Sequence, residues 1–148
     1  AGIKPHLVRA GLQPDDDTLL RIVPLIQERI VTFDEAPQWA GFFFRLDVSP
    51  DPADLVEKKV SSAESLESLL QAHTTLAALT AFERDPAEQA LRALADKLGL
   101  KVGQLLTPVR VAVSGQRVSP PLFETLEILG RQTTLQRIEN AANLLKDL

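Results

Sequence analysis

Residues 110–130 read RVAVSGQRVSPPLFETLEILG: the end of one apolar segment, a break, and the start of another. Arg110 to Val113 closes the first segment, and Ser114-Gly115 interrupts it. Ser119-Pro120-Pro121 then predicts a helix start. Serine has the side chain of an N-cap, and proline in a first turn forfeits no helical amide bond. Leu122, Leu126 and Leu129 recur at helical spacing, and Gly130 supplies a left-handed stop. On the residues alone this is a capped helix–loop–helix corner.

The neighbouring stretches keep the same period. Asp85-Pro86-Ala87-Glu88 has capping-box spacing, and Ala87, Ala90, Leu91, Leu94, Ala95 and Leu98 follow it up to a stop at Gly99. Val102, Leu105, Leu106, Val109 and Val113 then mark an inner face. Gly103, Thr107, Arg110 and Ser114 mark the opposite one, small and polar with one cation at its centre. Removing Arg110 from that face should therefore open no cavity. Pro108 between them predicts an irregular helix. The last helix should begin near Thr134, with Leu135, Ile138, Ala142 and Leu145 inward. Further upstream, Ser61 and Glu64 have capping-box spacing, and Leu66, Leu69, Leu70, His73 and Leu76 share a face.

The amino-terminal third reads differently. Ile3 to Ala10 is a short helix stopped by Gly11. Pro14 with Asp15, Asp16 and Asp17 opens a second, its acids at the positive end of the helix dipole. Leu19, Ile22, Val23, Ile26 and Ile30 form its apolar face, Pro24 should kink or break it, and Arg29 lies at the edge of that face. Five of the seven aromatics fall between Phe33 and Phe44. Such a cluster reads as a small core rather than a base-stacking platform, because large aromatics are mostly buried. Val48-Ser49-Pro50-Asp51-Pro52 is the best linker, its prolines favouring extended backbone. No stretch alternates convincingly as a strand, although Gln116 to Ser119 allows a short extended piece. The expected fold is all-α, an irregular helical bundle or cage of helices, in two subdomains: a smaller one over 1–45 and a larger one over 46–148.

Composition narrows the function. The chain has 148 residues, 45% hydrophobic and 24% charged, with no Cys and no Met. No run of 18 apolar residues offers a membrane span, and no basic, apolar leader precedes the first helix. Without cysteine there are no disulfides or thiolate metal sites, which suits a reducing cytosol. Lack of a starting Met indicates a processed chain or a piece of a longer one. The net charge of −4 argues against a general nucleic-acid binder. Yet Lys97 to Phe123 holds no acid, while Lys97, Lys101, Arg110 and Arg117 are all basic. That is either chance clustering or a site for one well-placed polyanion. No catalytic set is visible. His6 and His73 lack metal-spaced companions and read as structural. Neither GxGxxG nor GxxxxGK[ST] occurs.

The wording of RVAVSG…SPPLFETLEILG, of ALRALADKLGLKVGQLLTPVR upstream and of LIQERIVTFDE near the start resembles the carboxy-terminal anticodon-binding region of bacterial glutamyl-tRNA synthetase, a class I aminoacyl-tRNA synthetase. The resemblance spans nearly the whole chain. It implies a cytoplasmic monomer whose partner is the anticodon stem-loop of glutamate tRNA. The parent enzyme would join glutamate to that tRNA with ATP and magnesium in a separate amino-terminal domain. The HIGH-like and KMSKS-like signatures of that domain are missing here, so this chain is expected to hold no cofactor and to be no enzyme by itself. In the family, the positions matching Thr107, Arg110, Ser119, Pro120 and Leu122 line the pocket for the first two anticodon bases, with Phe123 beside them as a candidate wall. The position matching Arg29 meets the third base. Pro121 stands where some members carry Gly, which bears on the shape of the loop. The competing reading is a helical protein-interaction domain with no RNA role, which would show no preference among tRNAs.

Overall fold

A computed structural model describes residues 2–30, 32–57 and 60–147. It holds seven α-helices: α1 (Lys4–Arg9), α2 (Asp16–Ile26), α3 (Ala36–Ala40), α4 (Ser62–Ala77), α5 (Arg84–Leu98), α6 (Val102–Ser114) and α7 (Leu122–Lys146). Short 3-10 turns flank α3 at Phe33–Glu35 and Gly41–Phe44, and another covers Pro52–Leu55. Among the described residues there is no strand, and Gln116 to Val118 is a series of bends. Among the described residues no helix is long and apolar enough to cross a membrane.

Two groups of buried side chains result. The first gathers Leu7, Leu19, Ile22, Ile26, Ala36 and Ala40, with Trp39, Phe43 and Phe44 packed against it. Phe42 is buried as well, so the aromatic cluster is largely core, while Phe33 stays exposed. The second is larger and lies among α4, α5, α6 and α7, with Leu55 from the 3-10 turn. Residues 45–51 run between the two without helix. One helix serves both groups: Leu126 and Ile138 of α7 belong to the second, while Ile128 packs on the first.

Several local expectations need correction. Ser119 is not a helix cap. The N-cap of α7 is Pro121, at φ −49° and ψ 131°. The reason is in the sequence: a residue before proline is pushed out of the helical region, and both Ser119 and Pro120 precede one. The helix therefore waits until Leu122. The Asp85 capping box is also absent. α5 starts at Arg84, whose N–H donates to Oε1 of Glu127 on α7 at 2.9 Å. A tertiary carboxylate replaces the local cap. α2 stops at Ile26, two residues past Pro24, so Arg29 lies in the turn beyond it. Pro108, by contrast, is buried within an uninterrupted α6.

On α4 the expected capping box forms, Glu64 N–H donating to Ser61 Oγ at 3.1 Å and Ser61 N–H to Glu64 Oε1 at 3.2 Å. Its buried stripe is turned from the predicted one: Ser65, Ser68, Leu69, Ala72 and Leu76 go inside, and Leu70 is 39% exposed. Small residues face inward because α4 packs along α7, which buries Ala141 and Ala142 in turn. Gly130 interrupts α7 as predicted, but not as a left-handed stop. Its φ of 84° and ψ of 165° lie in a region only glycine occupies readily, and the helix resumes at once instead of at Thr134.

Candidate nucleic-acid interface

The corner between α6 and α7 is built from hydrogen bonds that start on α6. Arg110 is half-buried, and its Nη1 donates to Ser119 Oγ at 2.7 Å, Pro120 O at 2.8 Å and Ser119 O at 3.2 Å. Among the described residues, Nη1 is the part of that guanidinium with partners. Glu124, in the first turn of α7, accepts from Arg84 Nε at 2.9 Å. Thr107 is three residues earlier on α6 and also half-buried. Ser114 Oγ lies 2.6 Å from Arg110 O and 2.9 Å from Gln116 O, closing the turn that Gly115 makes at φ 78°. A side chain at Gly115 would meet Val48 at 3.3 Å, so glycine is needed there for backbone and for space. The loop's exposed side chains are Arg117, which has a loose 3.8 Å ion pair with Asp54, and Val118.

The sequence-predicted residues thus divide into three sets. Arg110, Ser119 and Pro120 are in direct contact. Leu122 and Phe123, 4% and 8% exposed, belong to the second core and brace the loop from beneath instead of forming an open wall. Arg29 comes from the other group of helices. It is exposed, and its Nη1 donates to Leu25 O at 3.0 Å, at the carboxy-terminal end of α2. It is close enough to be felt: burial first, and then the like charge of Arg29, push the Arg110 guanidinium below its usual value. Arginine remains charged under such shifts. Among the described residues no carboxylate pairs with either arginine, so the two cations share a field that an anion would relieve. The same residues contain no group of His, Cys, Asp and Glu that could hold a metal ion.

Three residues behind this corner escape the sequence reading. Gln116 Nε2 donates to Gln38 O at 3.0 Å, tying the loop to α3. Arg137, 3% exposed, donates from Nη1 to Val113 O at 2.7 Å and from Nη2 to Phe42 O at 2.9 Å and Arg45 O at 3.0 Å. The signal for Arg137 was present: it sits at helical spacing among Thr134, Ile138 and Ala141, a lone cation on an apolar stripe. Nothing local marks Gln116 or Gln38.

The corner thus carries two arginines without a carboxylate partner among the described residues, beside a loop held by Arg110. The family described as anticodon binding domain has a profile that matches residues 2–142, and the chain belongs to that family. The curated relatives it is similar to are glutamate–tRNA ligases. That of Roseiflexus sp. (strain RS-1) is 46% identical over 145 residues, covering 94% of this chain and 29% of the relative. That of Dehalococcoides mccartyi (strain ATCC BAA-2266 / KCTC 15142 / 195) is 42% identical over 145 residues, covering 98% and 30%. Among solved structures, a glutamate tRNA ligase from Elizabethkingia meningosepticum CCUG26117, in complex with its amino acid, has the same fold, with a TM-score of 0.81. It is 24% identical, covering 97% of this chain and 28% of that one. The chain spans less than a third of the length of these relatives.

Proposed function

We propose that this chain reads the anticodon loop of glutamate tRNA on behalf of a longer glutamate–tRNA ligase. In this reading the ATP- and magnesium-dependent chemistry belongs to a catalytic domain outside the chain, working in the cytoplasm on a monomeric enzyme. The smaller and larger subdomains divide near residue 46. The observation that carries the reading is the Arg110 fork. One tip is held by Ser119 and Pro120 while Nε and Nη2 keep no protein partner among the described residues. A donor-only plane fixed at one corner is pre-organised for a base edge or a phosphate, since little freedom is lost when it binds. Thr107 flanks it, and Pro120, Leu122 and Phe123 hold the loop in place.

Arg29 is assigned the third anticodon base, C in the glutamate anticodon and G in the glutamine anticodon. The pairing edge of C offers N3 and O2 as adjacent acceptors, and arginine can donate to both. Against G the same fork faces two N–H donors and leaves them unpaired, which rejects the wrong base by unmade bonds. Binding of a labelled anticodon stem-loop, followed by fluorescence anisotropy, tests the function. The glutamate anticodon should bind best, a G at the third position more weakly, and a scrambled loop weakest. Equal binding to all three would sink the proposal.

A further inference from the structure

Arg29 and Arg110 come from two different groups of helices, yet the charge of Arg29 is felt at Arg110, so something must set their separation. Arg137 is placed to do so. Its guanidinium binds the carbonyl of Val113, three residues beyond Arg110 on α6, and the carbonyls of Phe42 and Arg45 at the far end of the first core. These acceptors are 24, 95 and 92 residues away in sequence. Val113 O lies at the end of α6, and Phe42 O in the 3-10 turn Gly41–Phe44. Both sit where helical carbonyls lose their own partners and attract a cation. A buried guanidinium that donates to three fixed carbonyls tolerates little sliding between them.

We infer that Arg137 is a positioning residue for anticodon reading: it clamps the Arg29-bearing group of helices against the Arg110-bearing group and so fixes the register between the third base and the first two. It touches no RNA itself. The inference rests on the anticodon-reading assignment above.

The expected signature is selective. Arg137→Lys keeps the charge but not the planar fork, and Arg137→Met keeps only the bulk. In either variant, preference for C over G at the third base should fall about fivefold or more, the low end of one bidentate contact. Preference at the first two bases, read from the Arg110 side alone, should persist. Leu76→Ala, buried in the second core and making none of these hydrogen bonds, serves as the destabilised control and should keep all three preferences.

A second measurement is independent of RNA. The chain has no cysteine, so Glu28→Cys with Lys97→Cys, both on the exposed surface, carries a spin label on each group of helices. The inter-label distance should be narrow in the parent and broad or displaced in Arg137→Lys. Unchanged third-base preference in folded Arg137 variants would overturn the inference. So would parallel loss at all three bases, or failure of both variants to fold. A parent chain with no anticodon preference would instead defeat the underlying assignment. The distance measurement then still decides whether Arg137 sets the register, and an unchanged narrow distribution rejects it.

Discussion

Arg110 carries two duties that pull against simple mutagenesis. From its position on a polar helix face, its removal should cost little stability. The structure revises that, because Nη1 secures Ser119 and Pro120. Arg110→Ala should lower stability by about 1–2 kcal/mol, as expected for a lost half-buried bond from a charged donor. It should also weaken the stem-loop by roughly 1–3 kcal/mol. Urea melts and anisotropy on the same samples separate the two, and unaltered binding by the folded fraction would remove Arg110 from the interface. Arg29 is the cleaner residue. Its side chain is exposed and bonded only to Leu25 O among the described residues. Arg29→Gln should leave stability within about 0.5 kcal/mol. It should narrow the C-over-G preference, since an amide can present either its carbonyl or its N–H₂. A preference that stays the same would refute the third-base role.

At the scale of elements, most helices could be read from the sequence because caps and periods are local. Ser61 with Glu64, the acids at the start of α2 and the inner face of α6 all act within one or two turns. The misreadings occur where a distant group decides. α5 begins where Glu127 supplies a carboxylate from 43 residues away, and the stripe of α4 turns to follow the small residues of α7. For the candidate site, the resemblance of the SPPLFE run marks a stretch of chain, and the structure adds the contact of Arg110 with Ser119 and Pro120, which no spacing gives. Whether Leu122 and Phe123 face RNA or the core depends on what packs beneath them, and no spacing encodes that. The break in α7 gives a test at this scale. A Cβ at Gly130 meets nothing within 4 Å, so Gly130→Ala isolates the backbone cost of φ 84° and ψ 165°. Stability should fall by about 1–3 kcal/mol. A neutral result would mean that the two parts of α7 straighten freely into one helix.

For the molecule as a whole, α7 makes the two cores one unit, since it contributes Ile128 to the first and Leu126 and Ile138 to the second. Trp39, the chain's single tryptophan, reports on the first core, while far-ultraviolet dichroism is dominated by the longer helices α4 to α7. Thermal unfolding followed by both probes should give coincident midpoints, and two separated transitions would show independent halves. The folded chain should show no aminoacylation of its own. The Arg137 clamp also has a consequence in time. Phe42 and Arg45 are synthesised 95 and 92 residues before the arginine that binds their carbonyls. At about 5–20 residues per second, the interval is roughly five to twenty seconds. For that period the first core sits on the ribosome unlatched. Nascent chains arrested before residue 122 should be cut by protease between residues 45 and 51, and chains released with the whole of α7 should resist there.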